Sequence, residues 1–195
     1  MIFSDIIIGS TNSKLVTIDE NELRARLGYG IDLDDEIIKR YIQIYNENVS
    51  FKFAYVKIPF KIENDICYFE EEYIKSNSLV NVLKDCKEVL LLAVTSGIGI
   101  DKLISKTSIQ NPSETFYIDA ISSAGIESYM DYVYKTISNK VNVTKRFSPG
   151  YADFSIEFQA YLLNRLYAHE NIGINLSKDY LMIPTKSITA VIGVK

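Results

Sequence analysis

Apolar and polar residues follow two periodicities along this chain, one typical of helices and the other typical of strands. Helical spacing and helix-capping residues indicate helices within 17–30, 33–48, 78–86, 101–107, 119–140 and 156–171. Alternation over 51–62 and the continuous apolar run 88–94 indicate a half-buried strand and a central strand, and 180–194 is typical of two strands around 184–186. Strands and helices are mixed without a steady βαβ rhythm, so we predict an α+β fold.

Polar residues predict where several helices begin and end. Thr17 with Glu20 fits a capping box, and Gly28 ends that helix. The acidic residues Asp34, Asp35 and Glu36 suit the start of the next helix. The last helix has two candidate N-caps and one glycine at its end, namely Asp153 or Ser155 and Gly173.

The helix predicted from about Asp119 combines a core stripe with a polar flank. Its stripe consists of Ile126, Met130, Val133 and Ile137. Glu127 lies beside this stripe, on a flank that it shares with Ser123, Asp131 and Tyr134. A carboxylate is therefore expected at the edge of the core.

Composition and charge narrow the classes of function. The formal net charge of −4 argues against nucleic acid, whose phosphates need a basic face. No apolar run approaches the roughly 20 residues that span a bilayer, and the first residues lack the features of a signal peptide. The only cysteines, Cys67 and Cys86, are typical of reduced thiols, which predicts a cytoplasmic protein. A single histidine, His169, leaves little for a metal site or a nucleophilic triad.

The segment TSGIGI, residues 95–100, follows a strand and precedes a helix, which is the outline of a phosphate loop. It lacks the GK[ST] ending and the spaced glycine triplet. We therefore interpret it as a tight strand-to-helix turn.

The segment RFSPGY, residues 146–151, carries the strongest candidate chemistry. Proline and glycine fix a turn and let a ligand approach the main chain. Arg146 offers a planar fork for a carboxylate, and Tyr151 offers a ring that attracts a cation. If the long helix passes this turn, Glu127 adds a negative charge, and the set suits an amino-acid-like or nucleoside-like ligand. A plain turn with a packed tyrosine is the alternative.

The order of several segments resembles the activation domain of cobalamin-dependent methionine synthase, above all its free-standing forms. The similarity covers 1–195, taken as one domain with an N-terminal helical region at 1–50 and an α/β core at 51–195. It implies a mixed, mainly antiparallel twisted sheet with helices. The segments that carry it are ELRARLGYGIDLDDEIIKRYI, LKDCKEVLLLAVTSGIGIDKLI, YIDAISSAGIESYMDYV, RFSPGY, which matches R-x-x-x-G-Y, and MIPTKSITAVIG.

The resemblance implies roles for five residues around S-adenosylmethionine. Arg146 would bind its carboxylate, Tyr151 would pack on it, and Glu127 would face its positively charged portion. The main chain at Ser148 and Gly150 would line the nucleoside. The family's N-terminal ligand-binding aspartate has three candidate counterparts in Asp32, Asp34 and Asp35. The ligand-contacting tyrosine region that follows the late strand pair in the large enzymes has no counterpart, so we expect weak binding or contacts completed by a partner.

The resemblance also implies an activity in methionine biosynthesis. The family repairs oxidised cobalamin by reductive methylation: a flavodoxin- or ferredoxin-type donor supplies an electron, and S-adenosylmethionine supplies the methyl group. The sequence shows no cobalamin-binding module, so the cobalamin is expected on a partner, a methionine synthase or another corrinoid protein. We expect no catalytic side chain, and the domain is incomplete as an enzyme by itself. The alternatives are a non-catalytic docking module and a reactivator of another corrinoid methyltransferase.

Overall fold

The computed structural model of the protein describes residues 5–30, 32 and 35–195, which form an α+β fold. The strands are β1 Ile7–Thr11, β2 Phe51–Glu63, β3 Ile66–Phe69, β4 Glu72–Lys75, β5 Glu88–Thr95, β6 Asn175–Leu176, β7 Met182–Ile183 and β8 Ser187–Val194. The helices are α1 Glu20–Leu27, α2 Glu36–Asn48, α3 Asn77–Leu83, α4 Ile98–Gln110, α5 Pro112–Ser138, α6 Phe158–Arg165 and α7 Ala168–Ile172. The predicted fold class is thus confirmed.

A curled antiparallel sheet organises these elements, in the order β4-β3-β2-β5-β8. The long strand β2 pairs with β1 through Phe51–Tyr55 and with β3 through Phe60–Glu63, so both short strands share one edge. Its other edge pairs with β5, which pairs in turn with β8. The run 88–94 is therefore central, as its continuous apolar character predicts.

Successive side chains of β5 enter two different cores. Leu90, Leu92 and Val94 pack with α1, α2, α4 and α5 on one face of the sheet. Val89, Leu91 and Ala93 pack with α3, α6 and α7 on the other face. Side chains alternate across a strand, so a strand that is apolar at every position needs helices on both faces.

Several helix ends differ from the predictions. Asp19, not Thr17, caps α1, because its carboxylate accepts from the amides of Asn21 and Glu22. Asp35 caps α2 through the Ile37 amide, whereas Asp34 lies outside the described residues. Helix α5 begins at Pro112 rather than near Asp119, because Asn111 caps it and proline suits a first helical position.

The last predicted helix and the last predicted strand pair also differ. Tyr167 adopts a left-handed conformation, with φ 46°, which divides the helix into α6 and α7; Gly173 ends α7 as predicted. The strands β7 and β8 exist but do not pair with each other. Instead β7 pairs with β6, and β8 joins the main sheet beside β5.

Within the described ranges, the structure contains no helix of the length and apolar character needed to cross a membrane.

Candidate functional site

The site lies where α5 passes the segment that leads into the RFSPGY turn. Glu127 and Asp131 are four residues apart on α5, so both carboxylates project from one side of the helix. One turn later, the Tyr134 hydroxyl donates to the Thr144 carbonyl at 2.9 Å. This bond holds the helix against the segment 143–147.

The segment 143–147 runs along the edge of β8 that does not pair with β5. The Thr144 amide donates to the Gly193 carbonyl at 2.9 Å. Phe147 and Val191 exchange two backbone bonds of 2.9 and 2.8 Å. Phe147 packs on the α3–α6–α7 face, and because extended side chains alternate, Arg146 is directed to the opposite face, toward α5.

Arg146 meets both carboxylates of α5 through one nitrogen. Its Nη2 donates to Glu127 at 3.0 Å and to Asp131 at 3.3 Å. The Arg146 and Glu127 side chains are 29% and 25% exposed, against 54% for Asp131. Its Nε and Nη1 make no hydrogen bond with a described residue, so donors remain for a ligand carboxylate.

The turn itself depends on Gly150. Its φ of 90° is a conformation that side chains other than glycine rarely adopt. A Cβ there would also lie 2.9 Å from the Ile156 Cδ1 atom. The Gly150 amide donates to the Phe154 carbonyl at 2.7 Å, and the Tyr151 amide donates to the Ser148 carbonyl at 3.3 Å. Among the described residues, the Ser148 amide and the Gly150 carbonyl have no hydrogen-bond partner.

Asp153 and Phe154 anchor the turn to the rest of the molecule. Of the two candidate N-caps for the following helix, Asp153 is wrong, because its carboxylate caps α3 instead, whereas the Ser155 hydroxyl accepts from the Glu157 amide at 3.2 Å just before α6. The Asp153 carboxylate accepts from the Ser76 hydroxyl and the Asn77 amide, each at 2.7 Å, and from the Ser78 amide at 3.2 Å. These bonds, led by the one from Ser76, lower the pKa of Asp153 to about 2. Phe154 is buried and stacks on Phe147 at 5.9 Å.

Helices α1 and α5 and residues within 145–151 line a cavity of about 580 Å³ that is open to solvent. Four of the five predicted site residues line it, namely Glu127, Arg146, Ser148 and Tyr151. Gly150 does not line it but sets the turn that presents its neighbours. Tyr151 is 64% exposed, so its ring is available to a ligand. The structure thus brings the predicted residues together, while their roles toward a ligand remain predictions.

The cavity includes residues that sequence reasoning missed. Glu22 and Arg26 reach it from α1, where they form an ion pair of 3.6 Å, and Lys145 and Phe147 line it beside Arg146. No pattern within 20–27 indicates that α1 packs beside α5. Glu22 and Arg26 could therefore not be predicted as part of the site from the sequence. Of the three aspartate candidates, Asp32 and Asp35 do not line the cavity, and Asp34 is outside the described residues. Among the described residues of 1–50, Glu22 is the acidic residue that lines the cavity.

The other reactive side chains lie elsewhere. Cys67 and Cys86 are buried, and burial raises the pKa of Cys67 to about 11 and also raises that of Cys86, which keeps both protonated. His169 is exposed, beside a separate cavity of about 660 Å³ around α6 and α7. Within the described part of the chain, no group of three or more His, Cys, Asp or Glu is placed to hold a metal ion.

Within the TSGIGI segment, Ser96 and Gly97 form the turn between β5 and α4, and this turn packs tightly against the residues that follow α2. Gly97 has φ 81°, and a Cβ there would lie 3.1 Å from the Ser50 carbonyl oxygen. The Ser50 amide donates to the Ser96 carbonyl at 2.8 Å, and the Ser96 amide donates to the Lys186 carbonyl at 2.9 Å. The segment is therefore a tight strand-to-helix turn, as predicted.

Comparison with solved structures finds a likeness in fold. The crystal structure of the MetH reactivation domain bound to AdoHcy matches with a TM-score of 0.71 over 98% of this chain and 79% of that chain. The two sequences are 13% identical over the match, so the likeness shows the fold. No protein-family model matches the sequence. No curated protein matches it either.

Proposed function

We propose that the protein binds S-adenosylmethionine in the cavity between α5 and the RFSPGY turn. One observation carries the proposal: Arg146 and two carboxylates face this cavity in a fold that resembles an AdoHcy-bound domain. S-adenosylmethionine has a carboxylate, an ammonium group and a sulfonium ion within one amino-acid portion. A guanidinium beside carboxylates complements both signs of charge at once.

Each part of the ligand has a partner of matching chemistry. The free donors of Arg146 take the ligand carboxylate, since guanidinium and carboxylate form strong paired bonds. Glu127 faces the positive ammonium and sulfonium groups. The exposed ring of Tyr151 packs on the ligand, and the Ser148 amide lines the nucleoside, presented by the turn that Gly150 sets.

In the reaction that we propose, this chain positions the methyl donor and a corrinoid protein supplies the nucleophile. The partner's reduced cobalt takes the methyl group, and the electron pair of the broken bond stays on sulfur, which leaves S-adenosylhomocysteine. A flavodoxin- or ferredoxin-type protein supplies the preceding electron. Holding the donor in the correct orientation requires no side-chain base, which fits a cavity lined by binding groups. The protein would then be an accessory factor that reactivates a cobalamin-dependent methionine synthase in trans.

A second candidate function is a docking module without ligand binding. The observation that favours it is that Arg146 already has two carboxylate partners within the chain. In that case the ion pairs would be structural and the cavity would stay unused.

Calorimetric titration of S-adenosylmethionine and S-adenosylhomocysteine separates the two candidates. Arg146→Ala removes a charge-assisted contact, so we expect a loss of roughly 1.5–3 kcal/mol, or about 10- to 150-fold in affinity. Glu127 and Asp131 are partly exposed and can be solvated, so the fold should persist, with an unchanged circular dichroism spectrum.

Arg165→Ala is the matched control. Arg165 on α6 pairs with Glu70 at 2.7 Å, outside the cavity, so it also removes an arginine–carboxylate pair. We expect wild-type affinity in this variant. Equal losses in both variants, or no binding by the folded wild type, would favour the docking module.

A further inference from the structure

The charges around Arg146 do not balance locally. One guanidinium faces two carboxylates, Glu127 and Asp131, which leaves a surplus of negative charge at this point of the cavity wall. Over the whole lining the charges balance, because Arg26 is paired with Glu22 on α1 and the exposed Lys145 offsets one carboxylate, so the surplus is confined to Arg146 and its two partners. When a ligand carboxylate also binds Arg146, three carboxylates share one guanidinium. A positive charge on the ligand would reduce the repulsion among these carboxylates.

We infer that Asp131 is a specificity-determining residue that makes the site prefer the positively charged methyl donor to its demethylated product. The inference rests on the proposed function of the cavity. S-adenosylmethionine and S-adenosylhomocysteine share the amino acid and the nucleoside and differ by the methyl group and one positive charge. A residue that acts through charge distinguishes them, whereas a residue that only orients Arg146 affects both equally.

Asp131 is the carboxylate best placed for this role. It holds Arg146 less closely than Glu127 does, at 3.3 Å against 3.0 Å, and it is twice as exposed, at 54% against 25%. Its charge is therefore less neutralised by Arg146 than that of Glu127. A cavity of about 580 Å³ is on the order of 10 Å across, about one Debye length at 0.1 M salt, so a ligand charge anywhere inside it senses Asp131.

The consequence for the reaction is preferential exchange of product for donor. After methyl transfer the ligand loses its sulfonium charge and keeps only the ammonium, so its electrostatic attraction to Asp131 weakens. Release of the product would then be favoured without a conformational change, because the same side chain attracts the donor more strongly than the product.

The test compares dissociation constants for both ligands in the wild type and in Asp131→Asn. We expect the ratio of the product's constant to the donor's to fall by roughly two- to fivefold, the range for a half-exposed charge pair. Asp131→Glu keeps the charge and should keep the wild-type ratio. In the wild type, 1 M KCl should lower the ratio as well, because the Debye length falls to about 3 Å.

The same helix offers a matched control, Asp119→Asn. Asp119 is 52% exposed and ion-paired with Lys186 at 2.7 Å, but it lies about three turns away, roughly 18 Å along the helix, and does not line the cavity. Its loss should leave the ratio unchanged. An unchanged ratio in Asp131→Asn, or an equal fall in Asp119→Asn, would overturn the inference while both ligands still bind. Absence of binding to the wild type would refute the proposed function and the inference with it.

Discussion

At the scale of single residues, Gly125 sets how closely α2 approaches α5. A Cβ at this position would lie 2.6 Å from Cζ and 2.8 Å from Cε1 of Tyr45, and it would also meet the tyrosine hydroxyl. Tyr45 is only 1% exposed, so its ring has no free space into which it can move. Gly125 is two residues before Glu127, and the close approach therefore fixes the part of α5 that lines the cavity.

Gly125→Ala should destabilise the protein. Alanine favours a helix over glycine by about 1 kcal/mol, but a clash inside a packed core typically costs about 1–3 kcal/mol. We expect the clash to prevail, because two ring atoms and the hydroxyl of a fully buried tyrosine are involved, and urea denaturation would measure it. The double variant with Tyr45→Phe should lose less than the sum of the two single variants, since the hydroxyl contact is removed. A stabilised Gly125→Ala would show that the helices separate easily.

The residues of the site differ in how well the sequence could predict them. Arg146, Ser148 and Tyr151 belong to one short turn, so a local pattern places them together. Glu127 could be added because helical spacing puts it on the edge of the core stripe. Glu22 could not, because its place depends on α1 packing against α5, a contact between distant parts of the chain.

At the scale of elements, the RFSPGY turn and α3 are joined by Asp153. Sequence patterns made this residue one of two candidate N-caps for the next helix, beside Ser155, because N-caps are usually local. The structure uses it across 77 positions of sequence to cap α3 beside Ser76. The division between α6 and α7 could not be predicted from the sequence either, because the residues on both sides of Tyr167 within 158–172 favour a helix.

The Asp153 contact predicts a pH dependence of stability. Its pKa is about 2 in the folded protein and about 3.9 in an unfolded chain, so the lowered value stabilises the fold. The contribution is complete above the unfolded pKa and is lost as pH falls from about 4 to about 2. Asp153→Asn should therefore unfold at lower urea than the wild type near pH 7, and the difference should shrink below pH 4. A difference independent of pH would mean that the carboxylate charge is not what stabilises the turn.

At the scale of the whole molecule, a sheet with a core on each face holds the cavity at its edge. The central position of β5 follows from a run that is apolar at every residue. The partners of β7 and β8 do not follow from their sequences, because either strand pairs equally well with a neighbour close or distant in the chain. Residues 143–147 pair with the edge of β8, and this pairing directs the Arg146 side chain toward α5.

The most direct measurement is a crystal structure of the protein with S-adenosylhomocysteine. We expect the ligand to lie between α5 and the RFSPGY turn, with its carboxylate about 2.7–2.9 Å from the Arg146 guanidinium and its ammonium beside Glu127 or Asp131. Ligand density in the separate cavity around α6 and α7, or an Arg146 still paired only with Glu127 and Asp131 in crystals that contain bound ligand, would contradict this expectation.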